Sequence, residues 1–292
     1  MSTLPPSDSL NDQGDRPQVD DTYTHGHDES VLRGHRWRTA ENSAGYLLHR
    51  LSPGDSVLDV GCGPGSITSD LAERVSPGRI TALDRDPGVV DEAVASARSR
   101  GLTNVVGAVG DVASLDFDDG TFDVVHAHQV LQHLSDPVGA LVEMGRVARA
   151  GGVVAVRDAD YGAMCWYPAD PRLDRWMELY QAVARANDAE PDAARRLLSW
   201  CHAAGFAEVA VSASAWCFAD EGDRAWWAGQ WAERVVRSDL ARQALERRLS
   251  DREELSRIAD GFRAWATNPD GWFLVPHGEV LITVPGPSTT GP

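Results

Sequence analysis

The sequence predicts an α/β fold with a doubly wound, mostly parallel sheet of seven strands, and two observations carry this prediction. Short apolar runs rich in valine alternate with helical patterns up to about residue 160, and each run is apolar on both faces, as buried parallel strands are. A glycine-rich turn at 61–65, "GCGPG", joins the first run to a helix. Strands and helices that alternate in this way pack as one sheet with helices on both faces.

Seven apolar runs supply the predicted strands. They are Val57–Val60, Ile80–Leu83, Val105–Val109, Val124–Val125, Val153–Val156, 206–216 and 272–284. Gly101 is expected to end the helix after the second strand, because glycine adopts the left-handed conformation that closes helices. The sequence Ser135–Pro137 is expected to cap and begin the helix after the fourth strand.

The chain divides into four predicted regions. Residues 1–21 are polar and contain three prolines, so they bury too little surface to fold and are predicted to form a disordered tail. Residues 22–160 form the core, which the chain enters through a helical segment at 23–51, the lead-in. Residues 161–285 carry nine of the ten tryptophans and are expected to form cover helices and the last two strands, and 286–292 are expected to form a flexible tail.

The tryptophan-rich region holds four predicted amphipathic helices. The first begins at Asp170–Pro171, the second runs from Pro191 to Gly205, and two more are inserted before the last strand. Of these two, one carries Trp227 and Trp231 on a single face and the other is capped at Ser250. We expect the four helices to cover the strand ends.

Composition excludes several classes of function. Acidic residues outnumber basic ones 44 to 27, so the protein repels phosphate backbones and anionic lipids, and we expect neither nucleic acid nor membrane as a partner. Every basic residue is arginine, which excludes Schiff-base lysine chemistry and a phosphate-loop lysine. The four cysteines form no CxxC pair and are expected to be reduced. Without a leader or an apolar segment of membrane length, the predicted location is cytoplasmic.

The glycine turn indicates a ligand at the switch point of the sheet, the place where the order of the strands reverses. Ligands of open parallel sheets bind outside the carboxyl ends of the strands, where glycines let them lie against bare backbone. Asp59 stands two residues before Gly61, and a carboxylate repels a pyrophosphate but attracts an ammonium group. The pattern GxGxG also differs from the GxGxxG of dinucleotide folds. A nucleoside with a cationic group is therefore favoured, with an NAD-type oxidoreductase as the alternative.

Five motifs occur in a fixed order: "VLDVGCGPG" at 57–65, "ALDRD" at 82–86, "GDV" at 110–112, "FDDGTFDVVHAHQVLQHLSDP" at 117–137 and "RAGGVVAVRD" at 149–158. In this order they resemble the motifs of class I S-adenosylmethionine-dependent methyltransferases, in particular the branch of quinone-biosynthesis C-methyltransferases and small-molecule enzymes. The resemblance covers about residues 23–160. It implies a Rossmann-like fold, S-adenosylmethionine as cofactor, S-adenosylhomocysteine as product and methyl transfer to an acceptor.

The resemblance also implies which residues bind the cofactor. Asp84 would accept hydrogen bonds from both ribose hydroxyls, Asp111 would take the adenine amino group, and the N–H of Val112 would serve a ring nitrogen. Arg38, in the lead-in, suits the carboxylate of the methionine end. The full predicted set is Tyr23, His27, Arg38, Asp59, Gly61, Cys62, Gly63, Asp84, Arg85, Asp111, Val112, Ala127 and His128.

Two histidines are predicted as catalytic groups. Methyl transfer from a sulfonium releases a neutral leaving group, so alignment does most of the work and a base is needed only for a protonated nucleophile. His133 is the first candidate base and His128 the second. Together with His126 they do not predict a metal site, because their spacing across a strand-to-helix junction does not converge.

The acceptor is predicted to be a small molecule of aromatic or polyketide-like character, since no motif typical of a nucleic-acid methyltransferase follows the fourth strand. The cover within residues 161–285 is the expected acceptor-binding part, and a homodimer interface is the rival interpretation of its aromatic surface. A protein that binds S-adenosylmethionine without methylating stays open as a further alternative.

Overall fold

The computed structural model describes Thr24 and residues 34–286, and in this part of the chain the strands form one sheet. The first five strands are β1 (Val57–Val60), β2 (Ile80–Asp84), β3 (Val105–Val109), β4 (Phe122–His128) and β5 (Ala148–Ala159). They run parallel in the order β3-β2-β1-β4-β5. The order reverses between β1 and β4, so their carboxyl ends form the predicted switch point.

The last three strands complete the sheet in antiparallel fashion. They are β6 (Cys165–Tyr167), β7 (Val209–Phe218) and β8 (Trp272–Thr283). β8 pairs with β7 along one side and with β5 and the short β6 along the other. The predicted doubly wound, mostly parallel sheet is confirmed, with β6 as an eighth strand that the sequence did not predict. β6 forms because β8 continues past the end of β5 and offers it unpaired backbone groups.

Helices lie on both faces of the sheet and over its carboxyl end. They are α1 (Ala40–Ser43), α2 (Ser66–Val75), α3 (Pro87–Ser99), α4 (Pro137–Val147), α5 (Pro171–Arg185), α6 (Leu197–Ala203), α7 (Glu221–Arg237), α8 (Asp239–Glu246) and α9 (Arg252–Ala266). Residues 34–36 are also helical, and 3-10 turns occur at Leu48–Arg50, Leu131–His133, Tyr161–Ala163 and Ala193–Arg196. Among the described residues, none of the helices has both the length and the apolar character needed to cross a membrane.

Three helices begin at the same dipeptide, aspartate followed by proline. The carboxylates of Asp86, Asp136 and Asp170 accept hydrogen bonds from backbone N–H groups in the first turns of α3, α4 and α5. Proline at the next position has no N–H to leave unpaired, and its fixed φ suits a first helical turn. This local chemistry starts α3 almost directly after β2.

The structure corrects several predicted bounds. The predicted helix from Pro191 to Gly205 begins as a 3-10 turn and is α-helical only in α6. The helix α8 was not predicted, and α9 is capped by Asp251, whose side chain accepts from the N–H of Glu254, rather than by Ser250. The predicted tails, apart from Gly286, lie outside the described residues.

Alternate residues of the central strands belong to hydrophobic cores on opposite faces of the sheet. In β1, Leu58 and Val60 join the core that contains Met144 of α4, while Val57 joins the core that contains Leu71 of α2. Asp59, between them, therefore lies on the α2 face.

The cover has a core of its own, built from α5, α7 and α9. Trp176 of α5 is fully buried and meets Trp231 of α7 edge to face, with ring centroids 4.5 Å apart. Phe262 of α9 stacks on Trp231 and also meets Trp176 edge to face, so the three rings contact one another. Some of the tryptophans thus serve packing, in which large aromatic rings contribute strongly.

A buried ion pair crosses from β5 to β8. The guanidinium of Arg157 lies 3.2 Å from Oε1 of Glu279, and the exposed fractions are 1% for Arg157 and 5% for Glu279. Ser212 and Ser214 of β7 donate to the same carboxylate. Because Arg157 and Glu279 are direct neighbours in the register of the two strands, the pair joins β5, β8 and β7 at one level.

We expect Glu279→Ala to lower the free energy of unfolding by about 3–5 kcal/mol, because the buried Arg157 charge would lose its partner. Chemical denaturation followed by circular dichroism measures this change. The control is Glu253→Ala, which breaks an exposed ion pair with Arg257 and should cost no more than about 0.5 kcal/mol. Equal effects of the two substitutions would contradict the structural role of the buried pair.

Candidate active site

A cavity of about 210 Å³ opens at the carboxyl ends of β1, β2 and β4. Its glycine end is lined by Asp59, Gly61, Cys62, Gly63, Asp84, Arg85, Gly110 and Val112. Its aromatic end is lined by Tyr161, Met164, Trp216, Trp226, Trp227, Gln230, Trp231 and Arg234. The lead-in and the segment after β4 add His35, Trp37, Arg38, His128, Gln129, Val130 and His133. Eleven of the thirteen predicted cofactor residues lie in the described chain, and nine of these line the cavity; Asp111 and Ala127 do not.

Backbone geometry explains why the turn after β1 is made of glycine. Gly61 and Gly65 have φ angles of +65° and +80°, in the region where L side chains are strained. A Cβ on Gly61 would lie 2.5 Å from a methyl carbon of Val130, and one on Gly65 would lie 2.7 Å from the Cα of Ala93 in α3. Gly61 thus brings the turn against the segment after β4, and Gly65 lets α2 pack on α3. Between them, burial raises the pKa of the Cys62 thiol and keeps it neutral.

Asp59 is fixed in the wall of the cavity by two hydrogen bonds. Thr68 of α2 donates to its Oδ2 at 2.6 Å, and Nδ1 of His126 is hydrogen-bonded to its Oδ1 at 2.8 Å. His126 is the register partner of Asp59 on β4, so the sheet itself places the two side chains together. Each carboxylate oxygen keeps a further lone pair that can meet a ligand.

Asp84 ends β2 and ties it to the glycine turn. Its Oδ2 accepts a hydrogen bond from the N–H of Gly63 at 3.2 Å, and its Oδ1 accepts one from the N–H of Asp86 at 3.2 Å. The side chain is half-buried in the cavity wall. These contacts hold the carboxylate without using all of its acceptor capacity.

The segment after β3 also contributes to the wall of this cavity. Gly110 and Val112 line the cavity, whereas Asp111 does not. The carboxylate of Asp111 lies 3.3 Å from Nε of Arg85 and accepts a hydrogen bond from the N–H of Ala113. Asp111 and Arg85 therefore stand at the edge of the glycine end as an ion pair.

The predicted residues at the end of β4 differ in their positions. Ala127 is fully buried and does not line the cavity, but His128 does. Neither ring nitrogen of His128 has a hydrogen-bond partner in the described part of the chain. Burial, with the charges of Arg38 and Arg157 nearby, holds the pKa of His128 well below its usual range. The ring is thus a neutral group with two buried nitrogens available to a ligand.

His133 ends the 3-10 turn after β4 and is held by its neighbour. Gln132 accepts the N–H of Ala159 at its Oε1, so its Nε2 is the donor to Nε2 of His133, at 3.0 Å. Burial lowers the pKa of His133 to about 3, and the charge of Arg38 adds to the effect. The lone pair that a general base would use is engaged, and the ring is a weak base. No group of three His, Cys, Asp or Glu side chains in the described residues is arranged to hold a metal ion.

The lead-in closes one side of the cavity. Arg38 donates to Oε1 of Gln129 at 2.6 Å, and Nε2 of Gln129 in turn lies 2.9 Å from Nε2 of His277 on β8. The backbone carbonyl of His35 accepts a hydrogen bond from Ser66 at the start of α2. Tyr23 and His27, also predicted to bind the cofactor, lie outside the described residues.

Comparison with known proteins decides the family. A family model for a methyltransferase domain matches residues 51–226. An uncharacterized methyltransferase of Schizosaccharomyces pombe is 34% identical over 269 residues, which cover 89% of this chain and 95% of that protein. The chain belongs to the class I S-adenosylmethionine-dependent methyltransferases.

Further matches agree with this family. The ubiquinone/menaquinone biosynthesis C-methyltransferase of Bdellovibrio bacteriovorus is 36% identical to this chain over 103 residues. These residues cover 35% of this chain and 43% of that protein. A solved phosphoethanolamine N-methyltransferase of Haemonchus contortus, in complex with S-adenosylhomocysteine, has a TM-score of 0.52 at 16% identity and covers 82% of this chain and 52% of that chain. The predicted Rossmann-like fold, the cofactor S-adenosylmethionine and methyl transfer are confirmed. The NAD-type oxidoreductase gains no support.

Sequence reasoning missed several residues of the methyltransferase cavity. Gln129 directly follows β4 and has a positive φ of +54°, which sequence alone does not reveal. Gln230 and Arg234 interrupt the apolar face of α7. Polar residues at these positions of the sequence indicate that this face meets something other than a purely apolar core. No pattern in the sequence indicates that His35 and Trp37 reach the cavity, because the path of the lead-in depends on tertiary contacts.

We expect His133 to stay neutral between about pH 5 and pH 8, because its lowered pKa confines the charged form to strongly acidic solution. Imidazole resonances in nitrogen-15 NMR spectra measure this directly, and a His133→Gln variant assigns the signal. A titration of His133 with a midpoint near neutral pH would contradict the structure and restore its candidacy as a base.

Proposed function

We propose that this methyltransferase moves a methyl group from S-adenosylmethionine to a small molecule bound in the aromatic end of the cavity. The observation that carries the proposal is that one cavity includes both the glycine turn after β1 and the tryptophans of α7. A cofactor at the glycine end and an acceptor at the aromatic end then meet in one space shielded from water, as an in-line displacement requires.

The donors and acceptors of the glycine end fit the cofactor. The carboxylate of Asp84 suits ribose hydroxyls, and that of Asp59 suits an ammonium group. The guanidinium of Arg38 and the one N–H of the neutral His128 ring can donate to the carboxylate of a methionine end. The N–H of Val112 suits an adenine nitrogen. The roles of Tyr23, His27, Asp111 and Ala127 stay predictions.

The cover is proposed as the acceptor-binding part of residues 161–285. Trp227 stacks on Phe218 with ring planes 8° apart, and Trp231 packs against both Trp176 and Phe262. Rings held in this way give a rigid apolar wall, and a rigid wall binds a flat ligand at little entropic cost. A homodimer interface on this surface stays a prediction.

The protein contributes alignment rather than proton transfer. When bound, S-adenosylmethionine supplies a methyl group on a positively charged sulfur that leaves as a neutral thioether. His133 has a pKa of about 3 and its Nε2 accepts from Gln132, so it is suited to orient an acceptor rather than to deprotonate it at neutral pH. The acceptor therefore brings its own lone pair, either as a neutral nucleophile or already ionised.

A small-molecule acceptor and a cytoplasmic location agree with other features. The net charge of −17 disfavours nucleic acid, as the sequence indicates. Cys62, Cys165, Cys201 and Cys217 are free, as is usual in a reducing compartment.

We expect Asp84→Ala to weaken binding of S-adenosylhomocysteine about tenfold to a hundredfold, because loss of a charged hydrogen-bond acceptor costs ~1.5–3 kcal/mol. Isothermal titration calorimetry measures the affinity. Asp91→Ala, at an exposed position of α3 outside the cavity, is the matched control and should bind as the parent does. Unchanged affinity in Asp84→Ala would remove this residue from the cofactor site, and tighter binding of NAD than of S-adenosylhomocysteine would overturn the glycine-end assignment.

We expect Trp227→Leu to keep the affinity for S-adenosylhomocysteine within about twofold while turnover of the acceptor falls, because the substitution removes a ring from the proposed acceptor wall. Turnover is followed as a mass gain of one CH₂ unit on compounds of a metabolite library. Trp272→Leu, at a partly exposed position outside the cavity, is the control. If Trp227→Leu instead sediments as a monomer from a dimeric parent with unchanged catalysis per subunit, the acceptor wall is the wrong interpretation. Tight cofactor binding with no methylated product in any mixture would favour a non-methylating binder.

A further inference from the structure

One face of α7 places two polar side chains among its tryptophans. Trp227, Gln230, Trp231 and Arg234 follow the helical spacing i, i+3, i+4 and i+7, and all four line the cavity. The exposed fraction is 1% for Gln230 and 6% for Arg234. A helix that packs through an apolar face gains nothing from a buried amide and a buried guanidinium, since both lose their hydration. Their presence in a cavity wall therefore indicates a polar ligand.

Two hydrogen-bond donors of this face lack a partner. Oε1 of Gln230 accepts from Nη2 of Arg234 at 3.0 Å, which identifies the other amide atom, Nε2, as the donor. In the described part of the chain, neither Nε2 of Gln230 nor Nε1 of Trp227 has a hydrogen-bond partner. Buried donors without partners are rare and unfavourable in native proteins. A ligand that supplies lone pairs would satisfy both.

The polar pair is held rigidly. The guanidinium of Arg234 lies over the ring of Trp231, 5.3 Å from its centroid. The backbone of Gly34 in the lead-in packs so closely on the pair that a Cβ there would lie 2.2 Å from both Nη2 of Arg234 and Oε1 of Gln230. A guanidinium that is held in place before the ligand arrives binds a carboxylate-like group without a large loss of side-chain entropy.

The aromatic end is electropositive although the whole chain is acidic. The charges of Arg234 and Arg38 both act on the phenol of Tyr161, where they oppose the rise in pKa that burial causes. Among the described residues that line the cavity, the carboxylates are those of Asp59 and Asp84, and both belong to the glycine end. The cavity therefore attracts a cationic group at one end and an anionic group at the other.

We propose that the methyl acceptor is a planar ring acid, with an oxygen anion bound by Gln230 and Arg234 and its ring against Trp227 and Trp231. The oxygen is that of a carboxylate or of an ionised phenol or enol, groups that share lone pairs and negative charge. This inference rests on the proposed function, because it needs the aromatic end to be the acceptor site.

Binding of ring acids tests the proposal without knowledge of the natural acceptor. The probes are benzoate, 2-naphthoate and anthraquinone-2-carboxylate, each paired with its uncharged carboxamide, and binding is read from the quenching of tryptophan fluorescence with S-adenosylhomocysteine present. At least one carboxylate should bind the parent protein about tenfold or more tightly than its carboxamide, as expected for a charge-assisted hydrogen bond. Arg234→Gln should abolish this preference. Arg237→Gln, which removes an exposed charge from the same helix, should retain it.

A second variant separates the amide from the charge. Gln230→Met keeps the size of the side chain and removes both donors, so it should weaken the carboxylate and the carboxamide alike. The proposal is overturned if no carboxylate is preferred by the parent protein, or if Arg234→Gln keeps the preference. It is also overturned if Arg234→Gln weakens S-adenosylhomocysteine as much as the ring acids, because Arg234 would then belong to the cofactor site. If the parent protein fails to bind S-adenosylhomocysteine at all, the proposed function fails instead.

Discussion

The pairing of β8 between β5 and β7 is the interaction on which the rest of the structure depends. The helices α7 to α9 are inserted between β7 and β8, so this antiparallel pairing fixes where the cover can lie. At the centre of the pairing, Arg157 binds Glu279 and also lies 5.1 Å from the ring centroid of Trp216, which lines the aromatic end. The ion pair that joins the strands thus also sets the position of the cavity wall.

The parallel half of the sheet imposes the second constraint, the position of the carboxylates. Asp59 and Asp84 come from adjacent strands, and register alone places them on one side of the switch point. The hydrogen bonds from Thr68 and Gly63 then fix the carboxylates in orientation. Arg85, which directly follows Asp84, is paired with Asp111, whereas Arg38 and Arg234 come from the lead-in and α7. The carboxylates of Asp59 and Asp84 and the guanidiniums of Arg38 and Arg234 therefore enter the cavity from different parts of the chain, and the separation of these charges along it is a consequence of topology.

The parallel half could be predicted from the sequence because its signals are local. The run Val57–Val60, the glycine turn and the Asp-Pro caps each determine their own conformation through burial, backbone freedom and side-chain hydrogen bonds. The strand β6 could not be predicted, since three residues carry no pattern and only the free edge of β8 creates it. The same holds for the site. Asp59 and Asp84 follow from motif and register, but the partners of Gln129 and Arg38 depend on how the lead-in crosses the strand ends, and no local pattern encodes that path.

On the proposed function, the buried histidines bind or orient the ligand rather than act as bases. His128 and His133 lie near Arg38, and a positive field that lowers the basicity of an imidazole also lowers the pKa of any acidic hydroxyl bound beside it. Burial is the larger cause of the lowered pKa values of the imidazoles, and burial also disfavours an ionised acid, as the raised pKa of the Tyr161 phenol in the same cavity shows. The charges of Arg38 and Arg234 oppose that rise. On the proposed function, an ionised acceptor is therefore stabilised where it meets these arginines directly, and the tryptophans that exclude water from the cavity strengthen that contact.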